Sequence, residues 1–331
     1  MNNKNRIDGI VPFNEIYYKD CFYNSLFPIV LYFQKNILHF LVNDIFHYAR
    51  SQQHNIPDIQ CTTVNSIDKV FFDTGIHCDY KVSTDDIIGD LLTSLSQGRP
   101  AIVWIDCYYE AIRPEMYRKM HWPHTLAVFG YDQELQTFDI IEHAHKDNLA
   151  YEKRTIGFAE LQDCYKGFLD NLSAQINRPT FYSLYGGTGE GMDASEQVSD
   201  ENLASTLIRN VKSYAELISE GLNQLQAYEA EFEHLLLNED ELKKQGDALV
   251  QSFNNILNFK RIERYKLIKL FPAEVELLRN IDGVIDQWGI IRKAVLKYLY
   301  TGIYKAGDVA AANKGFKRVL TLEHDYLNNF V

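Results

Sequence analysis

The sequence predicts an α+β first half followed by an all-helical second half. Three observations carry that reading. Up to about residue 190, segments with a helical apolar period alternate with short apolar runs bounded by turn residues. Beyond it the helical period dominates almost to the end. Between the two lies GGTGEGMDASEQVSDEN, residues 186–202, which is small, polar and acidic, the chemistry of a linker. A glycine-rich phosphate loop is its alternative, but no Lys-Ser/Thr follows and the glycine spacing fits neither phosphate fingerprint. The boundaries that follow are 1–190 and 191–331.

Asp20 is placed to cap a helix in which Phe22, Leu26, Ile29, Val30, Phe33, Ile37, Phe40 and Leu41 recur at helical spacing. A second helix runs from Thr84, with Asp85 and Asp86 in its first turn, through Leu95 and ends at Gln97-Gly98-Arg99-Pro100. Ala101 to Ile105 is a short apolar run that reads as a buried strand. Thr125 to Tyr131 and Thr137 to Ile141 are strands joined by a turn at Asp132-Gln133-Glu134. Phe158 to Phe168 is helical and Pro179 to Tyr185 extended. In the second half, one apolar stripe runs from Leu203 to Leu236 and another from Leu242 to Tyr265. Pro272 opens a third helix and Asp308 to Phe330 forms the last. The stripes are wider than a two-stranded seam, so a bundle is expected.

The chain has 331 residues, 46% hydrophobic and 24% charged, enough to bury a core without disulfide or metal staples. Lys plus Arg is 33 and Asp plus Glu is 45, a net charge of −12. The charge splits as −8 up to residue 190 (16 basic, 24 acidic) and −4 after it (17 and 21), so no basic half hides in the average. Nucleic acid and an anionic membrane surface are therefore unsuitable partners. Five cysteines, odd in number and widely spaced, form no secreted disulfide pattern. The N-terminal residues lack the cationic-then-apolar order of a signal peptide. The most apolar stretch, Leu26 to Val42, is too interrupted to span a bilayer. A cytoplasmic protein is expected.

Cys21 is the candidate nucleophile. It follows the cap of a helix, where unpaired N–H groups and the partial positive charge of the terminus favour a thiolate and could hold an oxyanion. Taken alone, that position also suits a buried structural cysteine. A nucleophilic thiol needs a base, and His124, at the start of an apolar strand, is placed for an active-site rim. The base needs an orienting group. Glu142 ends the next strand, where a hairpin brings it towards His124, whereas Asp139 lies one pleat off and should face the other way. Glu142 is preferred and Asp139 held in reserve. Metal binding is the competing use of His121, His124, His143, His145 and Cys107, but their spacing lacks zincin geometry. No metal or bound cofactor is expected.

Cysteine, then histidine at a strand start, then a carboxylate on the next strand is the papain-like order. Residues 98–144 carry a more specific likeness. Gly98 and Pro100 precede a strand. Asp106 is followed by Tyr108 and Tyr109, and Tyr117 lies in a loop. His124 opens a hydrophobic strand that ends Gly130-Tyr131-Asp132, and Glu142 closes the next one. This pattern resembles the N-terminal domain of the butirosin-biosynthesis protein H family, over about residues 15–185 and most specifically at 98–142. Asp20-Cys21 at a helix start matches that family's nucleophile position.

The resemblance implies a papain-like fold and a cysteine acyltransferase. Its thiol takes an acyl group from the phosphopantetheine arm of an acyl or peptidyl carrier protein and passes it to a small amine, in natural-product biosynthesis. A thioesterase or cyclase, a cysteine peptidase and an inactive interaction protein of the same fold are the alternatives. The expected roles are Cys21 as nucleophile, His124 as base and Glu142 as orienting acid. Asn14 is expected as the side chain that binds the oxyanion, and Asp106 and Tyr108 are expected at the cleft border, where strand capping and packing would serve as well. Arg113, Arg118 and Lys119 are expected to dock the acidic carrier. The helical half is the expected surface for any homodimer.

Overall fold

The computed structural model describes residues 3–143, 149–186 and 200–330. In chain order the first part contains β1 (Lys4–Arg6), α1 (Cys21–Tyr32), α2 (Leu38–Val42), β2 (Asp44–Arg50), β3 (Pro57–Thr63), α3 (Ile67–Thr74) and β4 (Ile76–Lys81). Next come α4 (Ile87–Ser96), β5 (Ala101–Asp106), β6 (Pro123–Asp132), β7 (Thr137–His143), β8 (Tyr151–Gly157), α5 (Phe158–Asn171) and β9 (Phe181–Gly186). Then follow α6 (Asp200–Ser213), α7 (Ala215–Ala227), α8 (Glu229–Leu237), α9 (Glu239–Leu270), α10 (Val275–Thr301) and α11 (Ala306–Asn328). Most of the linker stretch, residues 187–199, lies outside the described residues. No described helix is long and apolar enough to cross a membrane.

The chain divides into two compact units: Met1–Ile37 with Ile67–Asp193, and Leu38–Ser66 with Ala194–Val331. This corrects the expectation of an unbroken first domain ending at 190. It also means that the second unit is not all-helical, because it contains the hairpin of β2 and β3. The apolar period through Leu41 suggested one continuous helix. The helix instead stops at Phe33, Gln34 turns with φ of 58°, and α2 starts a new element in the other unit.

The first unit is built on an antiparallel sheet of order β4-β9-β5-β6-β7-β8, with β1 beside the far half of β6. β6 runs down its middle, and its residues from His124 to Tyr131 are all buried. That explains why it reads as an apolar run rather than an alternation. Helix α1 packs on β6 and α5 on β5, where Phe168 stacks on Trp104 at 5.6 Å. The β6–β7 turn is tied by the Asp132 side chain, which accepts from the N–H groups of Glu134 and Leu135. The expected cap of α4 shifts by two residues: Asp86, not Thr84, accepts from Gly89 N–H at 2.9 Å.

In the second unit α10 packs lengthwise against α9 and α11 around Trp288, Phe253, Phe232 and Phe316. The hairpin joins this core directly. Tyr48 O–H donates to Glu323 at 2.6 Å, Trp288 Nε1 donates to Tyr48 at 3.0 Å, and Phe46 lies 4.7 Å from Phe259. Gly221 of α7 sits so close to Tyr48 that a side chain there would strike its main chain.

Candidate active site

The N-terminus of α1 is set by local hydrogen bonds. Lys19 turns with φ of 54°, and Asp20 then caps the helix by accepting from Phe22 N–H at 3.0 Å. Buried Asn24 reaches back from the first turn, accepting from Tyr18 N–H and donating to Ile16 O, both at 3.2 Å. The half-buried Cys21 is thereby held as the first helical residue, where a backbone N–H has no partner inside the helix. Ser25, one turn on, bonds to Thr125 on β6 at 2.9–3.0 Å and fixes α1 against the strand that carries His124.

Cys21 and His124 meet. Both line one open cleft of about 620 Å³, and the thiol is near enough to act on the charge of the imidazole. His124 Nε2 faces Glu142 Oε2 at 2.9 Å, an ion-pair approach that falls outside strict hydrogen-bond angles. Glu142 is fully buried, and its Oε1 accepts from Arg113 at 2.8 Å and from His143 N–H at 2.6 Å. Asp139 is excluded from this group, since it lies across the sheet from Gly130 and beside Arg6.

The charges support one another. Burial pulls the His124 pKa down, but Glu142 and Cys21 outweigh it, and the imidazole is held well above its ordinary 6.5. Burial pushes Glu142 up, but His124 and Arg113 outweigh it and bring it to about 2. A charged imidazole between a buried carboxylate and a thiol is the arrangement that a cysteine nucleophile uses.

The remaining expected site residues are placed elsewhere. Asn14 spends its amide on the β8 backbone, donating to Tyr151 O at 2.9 Å and accepting from Tyr151 N–H at 2.8 Å. Asp106 is fully buried and accepts from the N–H groups of Tyr108 and Trp122, with His121 Nδ1 at 2.5 Å. Tyr108 stacks on His121 at 4.4 Å. Neither Asp106 nor Tyr108 lines the cleft. Both close the neck of the loop between β5 and β6, because buried loop backbone needs acceptors and these side chains supply or shield them. Arg113 lines the cleft. It is buried and held by Glu142 and Glu115, while Arg118 and Lys119 are exposed.

No protein-family model matches the chain, and no curated protein is detectably similar to it in sequence. The cleft is therefore interpreted from its own chemistry. Tyr17, Trp104, Trp122, His143, Tyr151 and Arg178 line it beside the Cys21–His124 pair. Arg178 pairs with Asp20 at 3.0 Å, and Trp122 is half exposed. Glu110 is fully buried, near enough to Glu142, His124 and Arg113 to feel their charges, and both its carboxyl oxygens lack a hydrogen bond although the Cys107 thiol is near enough to act on it. Among the described residues no cluster of His, Cys, Asp and Glu is arranged to hold a metal ion, and His145 lies outside them. Sequence reading missed Glu110, Arg113 as a counter-ion and Tyr151. A loop acid, a loop cation and an edge-strand tyrosine carry no motif.

Proposed function

We propose that the chain is a papain-like, cysteine-dependent acyltransferase that takes an acyl group from a carrier-protein thioester and passes it to an amine. One observation carries the reaction class: a thiol at a helix N-terminus in reach of an imidazole that a buried carboxylate backs, all at one open cleft. The likeness of residues 98–142 to the butirosin-biosynthesis protein H family supports the substrate class.

The steps follow from that arrangement. Cys21 Sγ attacks the thioester carbon, and the carbonyl electrons move onto oxygen. The Cys21 N–H donates to that oxygen. Collapse expels the donor thiolate, which takes a proton from the His124 imidazolium. An amine then attacks the acyl-enzyme, His124 accepts its proton, and Cys21 leaves as the thiolate paired with imidazolium. Glu142 keeps the ring oriented and its charge compensated throughout.

The test is direct. The full chain, incubated with an acyl-carrier-protein thioester or an N-acetylcysteamine thioester, is expected to gain one acyl group by intact mass. The adduct should map to Cys21 and vanish in Cys21→Ala. In His124→Ala its formation should slow by roughly 10²–10⁴-fold. Discharge onto added amine marks a transferase; discharge to free acid whatever the amine marks a hydrolase. Absence of an adduct from every thioester tried rejects the proposal.

A further inference from the structure

Among the described residues the side-chain donors Trp104 Nε1–H and Tyr151 O–H are buried without a hydrogen bond. Both residues line the cleft that holds Cys21. A buried hydroxyl without a partner costs stability, and such groups are rare in native structures. A pair of them at one cleft points to a ligand that brings acceptors.

Tyr151 is held rigidly for that task. It is 4% exposed. Its backbone is clamped on both sides by the Asn14 amide, and its ring meets His143 edge-on at 3.9 Å, with His143 in turn 6.2 Å from His124. Burial, then the charges of Glu142 and Cys21, disfavour ionisation of the phenol, so it keeps its proton and remains a donor. The Cys21 N–H is one donor for an acyl oxygen, and Asn14, the side chain expected to be the second, is committed elsewhere.

We infer that the Tyr151 hydroxyl is the second donor to the acyl oxygen, taking the role expected of Asn14. This rests on the acyl-transfer reading and names a further catalytic residue for it. As the tetrahedral intermediate forms, the phenol donates to the oxyanion without giving up its proton; when the carbonyl reforms, that hydrogen bond weakens. No other group changes its proton count.

Tyr151→Phe removes only the unpartnered oxygen. The experiment compares wild type and Tyr151→Phe by three measurements: acylation rate with an N-acetylcysteamine thioester, alkylation rate at Cys21 with iodoacetamide, and Tm. Alkylation passes through no oxyanion, and peptide mapping separates Cys21 from the half-buried Cys61 and Cys78. The expected result is acylation slowed by about 10²-fold, alkylation within twofold of wild type, and a Tm no lower. Acylation equal to wild type overturns the inference and leaves the acyl-transfer reading standing. Acylation and alkylation falling together assign Tyr151 to holding Cys21 in place and also overturn it. A wild-type protein that no thioester acylates rejects the reading itself, and this inference with it.

Discussion

The imidazole of His124 and the carboxylate of Glu142 make a coupled contribution to stability whose pH window follows from their displaced pKa values. His124 lies above its free value, so its contribution is full below about pH 6.5 and is lost as pH rises through the folded value. Glu142 lies below its free value, so its contribution holds above about 4.5 and is lost as pH falls towards about 2. Glu110 behaves oppositely to Glu142. Burial and the Glu142 charge, against His124 and Arg113, raise it to about 8, so near neutrality it is a neutral acid beside a charged one. The unfolded chain releases that proton near 4.5, and the folded protein therefore loses stability from about pH 4.5 to about pH 8. Glu110→Gln mimics the protonated acid and removes the loss. Its stability relative to wild type is expected to rise between pH 5 and 8, by at most about 1.4 kcal/mol per pH unit, the linkage limit for one proton. Thermal melts across that range check it, and a difference that stays flat with pH refutes it.

The segment between β5 and β6 shows what an element contributes when it is neither helix nor strand. Its neck is closed by Asp106 and by Cys107 N–H donating to Trp122 O at 3.0 Å, and Arg118 N–H crosses to Tyr108 O at 2.8 Å. From this frame Arg113 reaches Glu142. Arg113→Leu strips a fully buried carboxylate of one counter-ion and is expected to cost about 3–5 kcal/mol in urea unfolding. Arg113→Lys should lie between, because an ammonium cannot reproduce the fork that bonds Glu115 and Glu142 together. A loss below about 1 kcal/mol for the leucine variant would show that His124 alone compensates Glu142. The same segment marks the limit of what was legible beforehand. α1, α4, α5 and β5–β7 announce themselves through caps and apolar runs, and Cys21, His124 and Glu142 were readable because each ends or begins such an element. β8 and β4 were not: in Tyr151–Gly157 only Tyr151 and Ile156 are buried, and in Ile76–Lys81 only Ile76. Asn14, Asp106 and Tyr108 misled for another reason. Spacing reveals that a polar residue is near a motif, not which backbone groups claim its hydrogen bonds.

At the scale of the whole molecule the linker composition marks a true change in character near residue 190, yet it is not where the units separate cleanly. The chain leaves the first unit after Ile37, gives α2, β2 and β3 to the second, and returns at Ile67. Composition conceals this because the excursion is short and its strands, Asp44–Arg50 and Pro57–Thr63, mix polar and apolar residues. The hairpin is nevertheless integral to the helical unit's core. Besides the Tyr48 bonds, Lys266 Nζ donates to Asp44 O at 3.0 Å, Ser252 bonds to Pro57 O, and Ile45, Phe46, Tyr48 and Ile59 are all at most 4% exposed. A protein cut at residue 190 would keep the hairpin and lose everything it packs on, and the complementary fragment would keep buried Lys260 and Glu323 beside a void where Tyr48 belongs. Fragments 1–190 and 191–331 are each expected to unfold without a cooperative transition and to bind the hydrophobic dye ANS, while co-expression restores a soluble pair. A fragment 1–190 that melts cooperatively and is acylated at Cys21 as fast as the full chain would show that the hairpin is dispensable to the first unit, and that the interruption at 38–66 is an insertion that unit tolerates with its apolar side bare.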